Sequence, residues 1–324
     1  MKFPLFDAHC DTISEALIKH EGFCRNDLHW DLGRAEAYRP CAQFFAIFAL
    51  VLDSPDELEP AHQALYWRRG RDAFDAQYGK FAEELDRNQA RMTFCRSAAD
   101  AEAAAAAGKI GAFLSVEGGE ILDCSIESLE RAYGMGVRAV NLTWNYENAL
   151  SGSNVQGADR GLTEPGREFV RRCQELGVIV DLSHTSDPGF WDVMEMAARP
   201  VMASHSNARA LWNHTRNLTD DMFRAIIKNG GVAGINLYTD FLDADPDVDT
   251  VVRHIEHFLD LGGAKHICMG GDLDGCDTLP RGIRGNQDIW KIGEALLKKN
   301  YTEELICDIF YNNLLRVVKS ACAI

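Results

Sequence analysis

In the segment Phe6-Asp7-Ala8-His9-Cys10-Asp11, an imidazole and a carboxylate fall two residues apart at the close of an apolar run. Residues i and i+2 of an extended chain share a face, so His9 and Asp11 can aim at one point and chelate a cation. Cys10 should then point the other way, into packing. One such pair is commonplace, and its meaning depends on what ends the other apolar runs. Four more close in the same chemistry: Val116-Glu117-Gly118-Gly119, Asp181-Leu182-Ser183-His184, Ala203-Ser204-His205-Ser206 and Gly270-Gly271-Asp272-Leu273-Asp274-Gly275. Imidazole and carboxylate without thiolate suit Zn²⁺, Mn²⁺, Co²⁺ or Fe²⁺. Three histidines and three or four carboxylates exceed the needs of one catalytic zinc, so two ions per chain are expected. Glu117 could bridge them, with His9 and Asp11 on one ion and His184 and His205 on the other. Asp272 would stand by the metal-bound water as proton acceptor, with Asp274, two residues on, competing for that place. Paired metals lower the pKa of water and stabilise the oxyanion formed when hydroxide attacks a carbonyl, so the implied chemistry is hydrolysis.

Eight strand-like runs must carry these residues: Phe3 to Ala8, Ala42 to Val51, Ile110 to Val116, Val137 to Leu142, Val178 to Leu182, Pro200 to Ala203, Gly231 to Leu237 and His266 to Met269. Helical periodicity fills the stretches between, over Pro55 to Arg87, Ala99 to Ala107, Glu164 to Leu176, Asp220 to Lys228, Asp249 to Leu261 and Asp288 to Lys298. Strand alternating with helix eight times predicts a (β/α)₈ TIM-like barrel of the metal-dependent hydrolase type. Working residues of such barrels gather at the C-terminal ends of the strands, where all five motifs fall. No linker or repeat divides the chain, so residues 1–324 are expected to form one barrel domain. Its C-terminal helical tail after Tyr301 should pack across the barrel's outside.

Composition narrows the partners. Lys and Arg total 33 against 49 Asp and Glu, a formal charge of −16, which disfavours nucleic acid and anionic membranes. The chain enters its first strand directly, without a signal core, and no apolar run approaches the roughly 20 residues of a membrane span, so a cytoplasmic protein is expected. Ten cysteines are scattered without a C-x-x-C pair and should be reduced thiols.

His-x-Asp, Val-Glu-Gly-Gly, Asp-Leu-Ser-His, Ser-His-Ser-Asn-Ala-Arg and Gly-Gly-Asp-Leu-Asp-Gly, in this order, resemble the zinc-dependent membrane (renal) dipeptidases, and the resemblance runs from Asp7 to Asn313-Leu314-Leu315-Arg316-Val317. It implies a binuclear zinc site in which His9, Asp11 and Glu117 hold one ion and Glu117, His184 and His205 the other. It assigns Asp272, over Asp274, as general acid/base. Arg216 matches the arginine that holds the C-terminal carboxylate of a dipeptide, which suits a bidentate guanidinium. Tyr238 lies where the family has a tyrosine near substrate. One departure is Trp144 in Leu142-Thr143-Trp144-Asn145, where animal members carry a histidine near the scissile carbonyl. Its indole N–H, Asn145 or a residue of the loop from Tyr146 to Arg160 would have to substitute. The missing signal and anchor segments point to the soluble bacterial branch, and a homodimer is expected by resemblance.

The expected activity is therefore hydrolysis of dipeptides with a free C-terminus, with L-Xaa-D-Xaa compounds a natural substrate class. Two alternatives stand beside it: a binuclear barrel hydrolase of N-acyl amino acids or related amides and lactones, and a non-catalytic ligand-binding barrel. His254 and His257, one helical turn apart, are expected to be surface or packing groups. Among the remaining histidines only His214, near Arg216, is expected close to the site.

Overall fold

A computed structural model of the chain describes residues 3–52 and 60–322. Eight parallel strands form its centre: β1 Leu5–Cys10, β2 Cys41–Phe48, β3 Ile110–Glu117, β4 Val137–Asn141, β5 Ile179–Asp181, β6 Met202–Ala203, β7 Val232–Ile235 and β8 Ile267–Met269. Each pairs with its neighbours in chain order, β8 returns to pair with β1, and β2 pairs directly with β3, so the sheet closes into a (β/α)₈ barrel. All eight expected strands are present. Met92–Phe94, which no periodicity indicated, adds a ninth parallel strand outside the ring, on β3.

The helices around the ring start and stop where local chemistry allows. Helix α1, Thr12–Ile18, leaves β1 directly; α2 is Gly70–Arg87, α3 Ala98–Ala106, α4 Ile126–Gly134 and α5 Glu164–Leu176. Thr163 caps α5 by accepting the N–H of Gly166, and Gly177 ends it at a left-handed φ of 74°, a conformation glycine adopts without strain. Helices α6 Asp187–Met196, α7 Asp220–Asn229, α8 Val248–Asp260, α9 Trp290–Lys298 and α10 Asn313–Ala321 follow, with short unnumbered helical segments at Leu32–Ala35 and Glu303–Cys307. Of these, α1, α4 and α6 were not among the stretches that the sequence periodicity marked. The helix expected from Pro55 to Arg87 begins partly outside the described residues; a 3₁₀ turn at Pro60–Leu65 precedes α2.

Packing inside the ring explains how the mouth stays polar. One apolar cluster takes Phe6, Phe44, Phe113, Ala139, Ile179, Met202, Val232 and Cys268, at least one residue from each strand, and includes Tyr311, Leu314 and Val317 from the C-terminal segment. The tail therefore seals the end of the barrel remote from the motifs instead of lying along its outside. It is held there by Asn313 Nδ2 donating to the carbonyl of Ile267 at 2.8 Å and by Arg316 donating to the carbonyls of Gly230 and Lys265. Cys10 is fully buried in the main core, as its alternation requires, and all ten cysteines are free thiols. Among the described residues no helix is long and apolar enough to cross a membrane.

Strands β6, β7 and the end of β8 approach one another closely. A Cβ at Gly234 would lie 1.8 Å, and one at Gly270 1.7 Å, from the carbonyl oxygen of Ser204. Gly270→Ala should therefore destabilise by about 3 kcal/mol or more, at or beyond the upper end of overpacking penalties. Gly79→Ala, at a helical position with open space around it, should stabilise by about 0.5–1 kcal/mol. Denaturant midpoints of the two variants, compared with the parent chain, measure both.

Candidate metal centre

The sharing of one carboxylate between two groups of imidazoles defines the site. Glu117, at the end of β3, presents Oε2 to His9 Nε2 at 3.4 Å and Oε1 to His184 Nε2 at 2.8 Å and His205 Nε2 at 3.5 Å. Asp11 Oδ2 lies 3.2 Å, and Asp272 Oδ1 3.9 Å, from His9 Nε2. The two imidazole nitrogens of His184 and His205 are 3.0 Å apart. All six side chains are buried. The ligating atoms of His9, Glu117 and His205, and those of His9, Asp11 and Asp272, form two compact groups with metal-binding chemistry, sharing His9.

Backbone geometry at these positions is unusual in a way that serves the site. His184 sits at φ 71°, Asp272 at φ 54° and Asp274 at φ 70°, in the left-handed region that side chains seldom occupy, and Gly118 beside Glu117 has φ 105°. Strain of this kind persists where surrounding contacts over-determine it. Asp7 supplies one such contact. Its carboxylate accepts the N–H of His9 at 3.0 Å and of Gly271 at 2.9 Å, locking the β1 motif to the β8 motif.

Electrostatics argue for a bound cation. Burial alone would lower the His9 pKa, yet the Glu117 and Asp11 carboxylates hold it well above its ordinary value. Glu117, despite burial that would raise it, is pulled below the carboxylate range by His9 and His184. Asp11 is pushed up to about 8 by burial and by repulsion from Glu117, while burial pushes His184 and His205 down. Three buried carboxylates, Asp11, Glu117 and Asp272, thus compete for one imidazolium, an arrangement that positive ions would relieve. Asp11 Oδ1 and His9 Nδ1 are buried with no hydrogen-bond partner. The donor set of imidazole and carboxylate oxygen, without a thiolate, fits zinc or a similar divalent ion.

The other predicted positions separate cleanly. Trp144, Asn145, Arg216, Tyr238 and Asp272 line one cleft of about 500 Å³ that opens onto the centre. Arg216 is only 4 % exposed, and all three guanidinium nitrogens lack an acceptor. Burial brings its pKa down to about 10, and it stacks over Phe241 at 5.3 Å. Asn145 also has a partner within the site, its Oδ1 lying 3.0 Å from His184 Nδ1. Asp272 and Asp274 do not point alike, because both depart from the strand conformation that the i, i+2 argument assumes. Asp274 accepts from Thr12 Oγ1 at 2.6 Å and from the His29 N–H, whereas Asp272 Oδ2 accepts from Asn236 Nδ2 at 3.1 Å and Oδ1 faces the centre.

One histidine departs from the sequence expectation. His29 lines the cleft, its Nδ1 accepting the N–H of Asp274, although nothing in its spacing marked it. His254 is buried, linking the Ala208 N–H to the Leu242 carbonyl, while His257 pairs with Asp220. His214 supports the Arg216 loop, accepting the Arg216 N–H at Nδ1. Phe48 and Leu65 complete an apolar wall beside Trp144, whose ring lies 5.0 Å from that of Phe48.

Comparison with known proteins places the chain in a family. The membrane dipeptidase family (Peptidase family M19) matches residues 1–324. An uncharacterised Klebsiella pneumoniae protein encoded in the region 5′ of pqqA is 33% identical over 243 residues, covering 71% of this chain and 89% of its own. An uncharacterised dipeptidase from Schizosaccharomyces pombe is 36% identical over 224 residues, 65% of this chain; the matched part is 53% of that protein, so the chain spans about half its length. The crystal structure of a Rhodobacter sphaeroides metallopeptidase, liganded with a phosphinate mimic of the dipeptide L-Ala-D-Ala, superposes with a TM-score of 0.86 at 27% identity, covering 99% of this chain and 100% of that one.

Zinc titration tests the centre directly. Saturation at a hundred times Kd should raise folding stability by about 2.7 kcal/mol per site, seen as a higher thermal midpoint that EDTA reverses. Glu117→Gln should weaken zinc binding by more than the roughly 10–100-fold that outer partners of ligands contribute. Unchanged zinc content in that variant would refute the shared-carboxylate centre.

Proposed function

The chain belongs to the membrane dipeptidase family and is a metal-dependent dipeptidase, and we propose from that premise a binuclear zinc enzyme acting on dipeptides with a free C-terminus. His9, Asp11 and Glu117 would hold one ion, and Glu117, His184 and His205 the other. The observation that carries the two-ion count is the division of the Glu117 oxygens, one toward His9 and one toward the His184–His205 pair. Zinc ions bound there would polarise the scissile carbonyl and lower the pKa of the attacking water.

The chain's own residues supply the rest. Arg216 is a buried cation without a protein acceptor, facing the cleft, and it suits the substrate's terminal carboxylate through a bidentate pair. Because that pair forms at a fixed distance from the centre, it selects chains of two residues. Asp272 accepts the proton of the attacking water and returns it to the leaving amine, with Asn236 Nδ2 holding its outer oxygen in place. Trp144 and Phe48 form the apolar side of the cleft and exclude water there; Tyr238 closes the wall near Phe241. Asn145 orients His184 as well as bordering the cleft. Dipeptides of L,D configuration are the favoured substrate class, a preference supported by the dipeptide mimic bound to the Rhodobacter relative.

A panel of L,L-dipeptides, L,D-dipeptides, their C-terminal amides and N-acyl amino acids tests the proposal. Free dipeptides should be hydrolysed and their amides should lose about 10–100-fold in kcat/KM, as expected when a charged hydrogen bond is lost. Arg216→Leu should abolish that discrimination by slowing only the free acids. Asp272→Asn should reduce kcat by about 10²–10⁴-fold while zinc content stays at the parent value. Hydrolysis confined to N-acyl amino acids would overturn the dipeptidase assignment in favour of an acylase.

A further inference from the structure

Below the centre, one carboxylate ties together the two strand ends that carry His184 and His205. Asp181, the last residue of β5, is fully buried, and its Oδ1 accepts the N–H of Ser183 at 3.1 Å and of Ser204 at 2.9 Å. A histidine of the centre follows each of those serines. The Ser204 hydroxyl lies 2.7 Å from His205 Nδ1, and the Ser183 hydroxyl accepts the His205 main-chain N–H at 3.0 Å. Both the ring and the backbone of His205 are thus held by serines anchored on Asp181.

The direction of these hydrogen bonds follows from the chemistry of the ring. An imidazole that offers Nε2 to a cation carries its proton on Nδ1, so Nδ1 donates and the Ser204 oxygen accepts. The hydroxyl proton of Ser204 must then turn away from His205. The Asp181 carboxylate can take that proton: its Oδ1 already accepts the Ser204 N–H, and its Oδ2 is buried without a hydrogen-bond partner. A carboxylate that merely fastened two strands would need only its main-chain contacts, which Oδ1 alone provides.

We propose that Asp181 is a positioning residue of the metal centre, acting through the Ser204 hydroxyl to fix the Nδ1–H tautomer and the orientation of His205. The proposal rests on His205 being a zinc ligand. It identifies an outer layer to the centre made of Asp181 and Ser204, parallel to the Asn145 contact on His184. Removing the negative charge leaves Ser204 without its acceptor and lets the imidazole tautomer and ring angle drift.

Asp181→Asn keeps an oxygen for the two main-chain N–H groups and removes only the charge, while Ser204→Ala removes the intermediary and leaves Asp181 intact. Stepwise zinc competition against a chromophoric chelator, on metal-free protein, should show one of two sites weakened by about 10–100-fold in each variant, the other being within about threefold of the parent. If both act through one chain of hydrogen bonds, the double variant should be no weaker than the weaker single. Thermal midpoints in EDTA identify any loss that comes from folding alone. Parent-like zinc affinity in both variants, or losses that simply add in the double variant, would overturn the proposal. If Asp181→Asn fails to fold, Ser204→Ala alone decides, and parent affinity there would be equally fatal. A parent chain that binds no zinc would instead remove the metal-centre premise.

Discussion

The Glu117 carboxylate presents one oxygen to His9 and the other to His184 and His205 in an interior where an uncompensated charge is worth several kcal/mol of destabilisation. Everything around it can be understood as meeting that constraint. Glu117 and His9 come from β3 and β1, His184 and His205 from the segments just after β5 and β6, and Asp272 from the turn after β8, so the ring must close before the charges can balance. Closure depends in turn on the apolar floor, to which each strand gives a residue. The polar mouth and the apolar floor are two ends of the same eight strands.

The left-handed residues at the rim belong to this logic. His184, Asp272 and Asp274 each turn out of the strand conformation as the chain leaves the barrel, and that turn carries Asp272 toward the centre and Asp274 toward Thr12 and His29. Two acidic residues two positions apart thereby acquire different surroundings. One stays beside the centre; the other is consumed in holding a loop. The same separation of tasks appears in Asp7 and Asp181, buried carboxylates whose oxygens accept main-chain N–H groups and hold motif-bearing strands in register.

Much of the fold could be read from the sequence because its signals are local. Strands β3, β7 and β8 are short apolar runs flanked by glycine, and α5 is framed by a threonine cap and a terminal glycine, so their limits are written in a few neighbouring residues. The grouping of His9, Asp11, Glu117, His184, His205 and Asp272 was legible for a topological reason, since successive strand ends of a parallel barrel must lie on one rim. What stayed hidden depended on contacts distant in sequence. His29 reaches the cleft because its loop is fastened to Asp274, some 245 positions away, and no spacing rule encodes that. The i, i+2 rule could not separate Asp272 from Asp274, because it presumes a strand that has already ended. The tail was misplaced for a similar reason: amphipathicity shows that α10 has an apolar face, but not which surface of the barrel receives it.

That surface has a consequence for how the protein comes into being. Phe6, in β1, meets Tyr311 with ring centroids 5.7 Å apart, and Leu314 and Val317 belong to the same cluster. During synthesis that floor therefore lacks part of its apolar cover until the segment carrying Tyr311, Leu314 and Val317 has emerged. Domains commonly fold as units as they emerge, but here the packing of β1 must wait for α10. Its exposed aromatic residues need protection from wrong partners throughout that interval, so assembly is more vulnerable than the finished barrel.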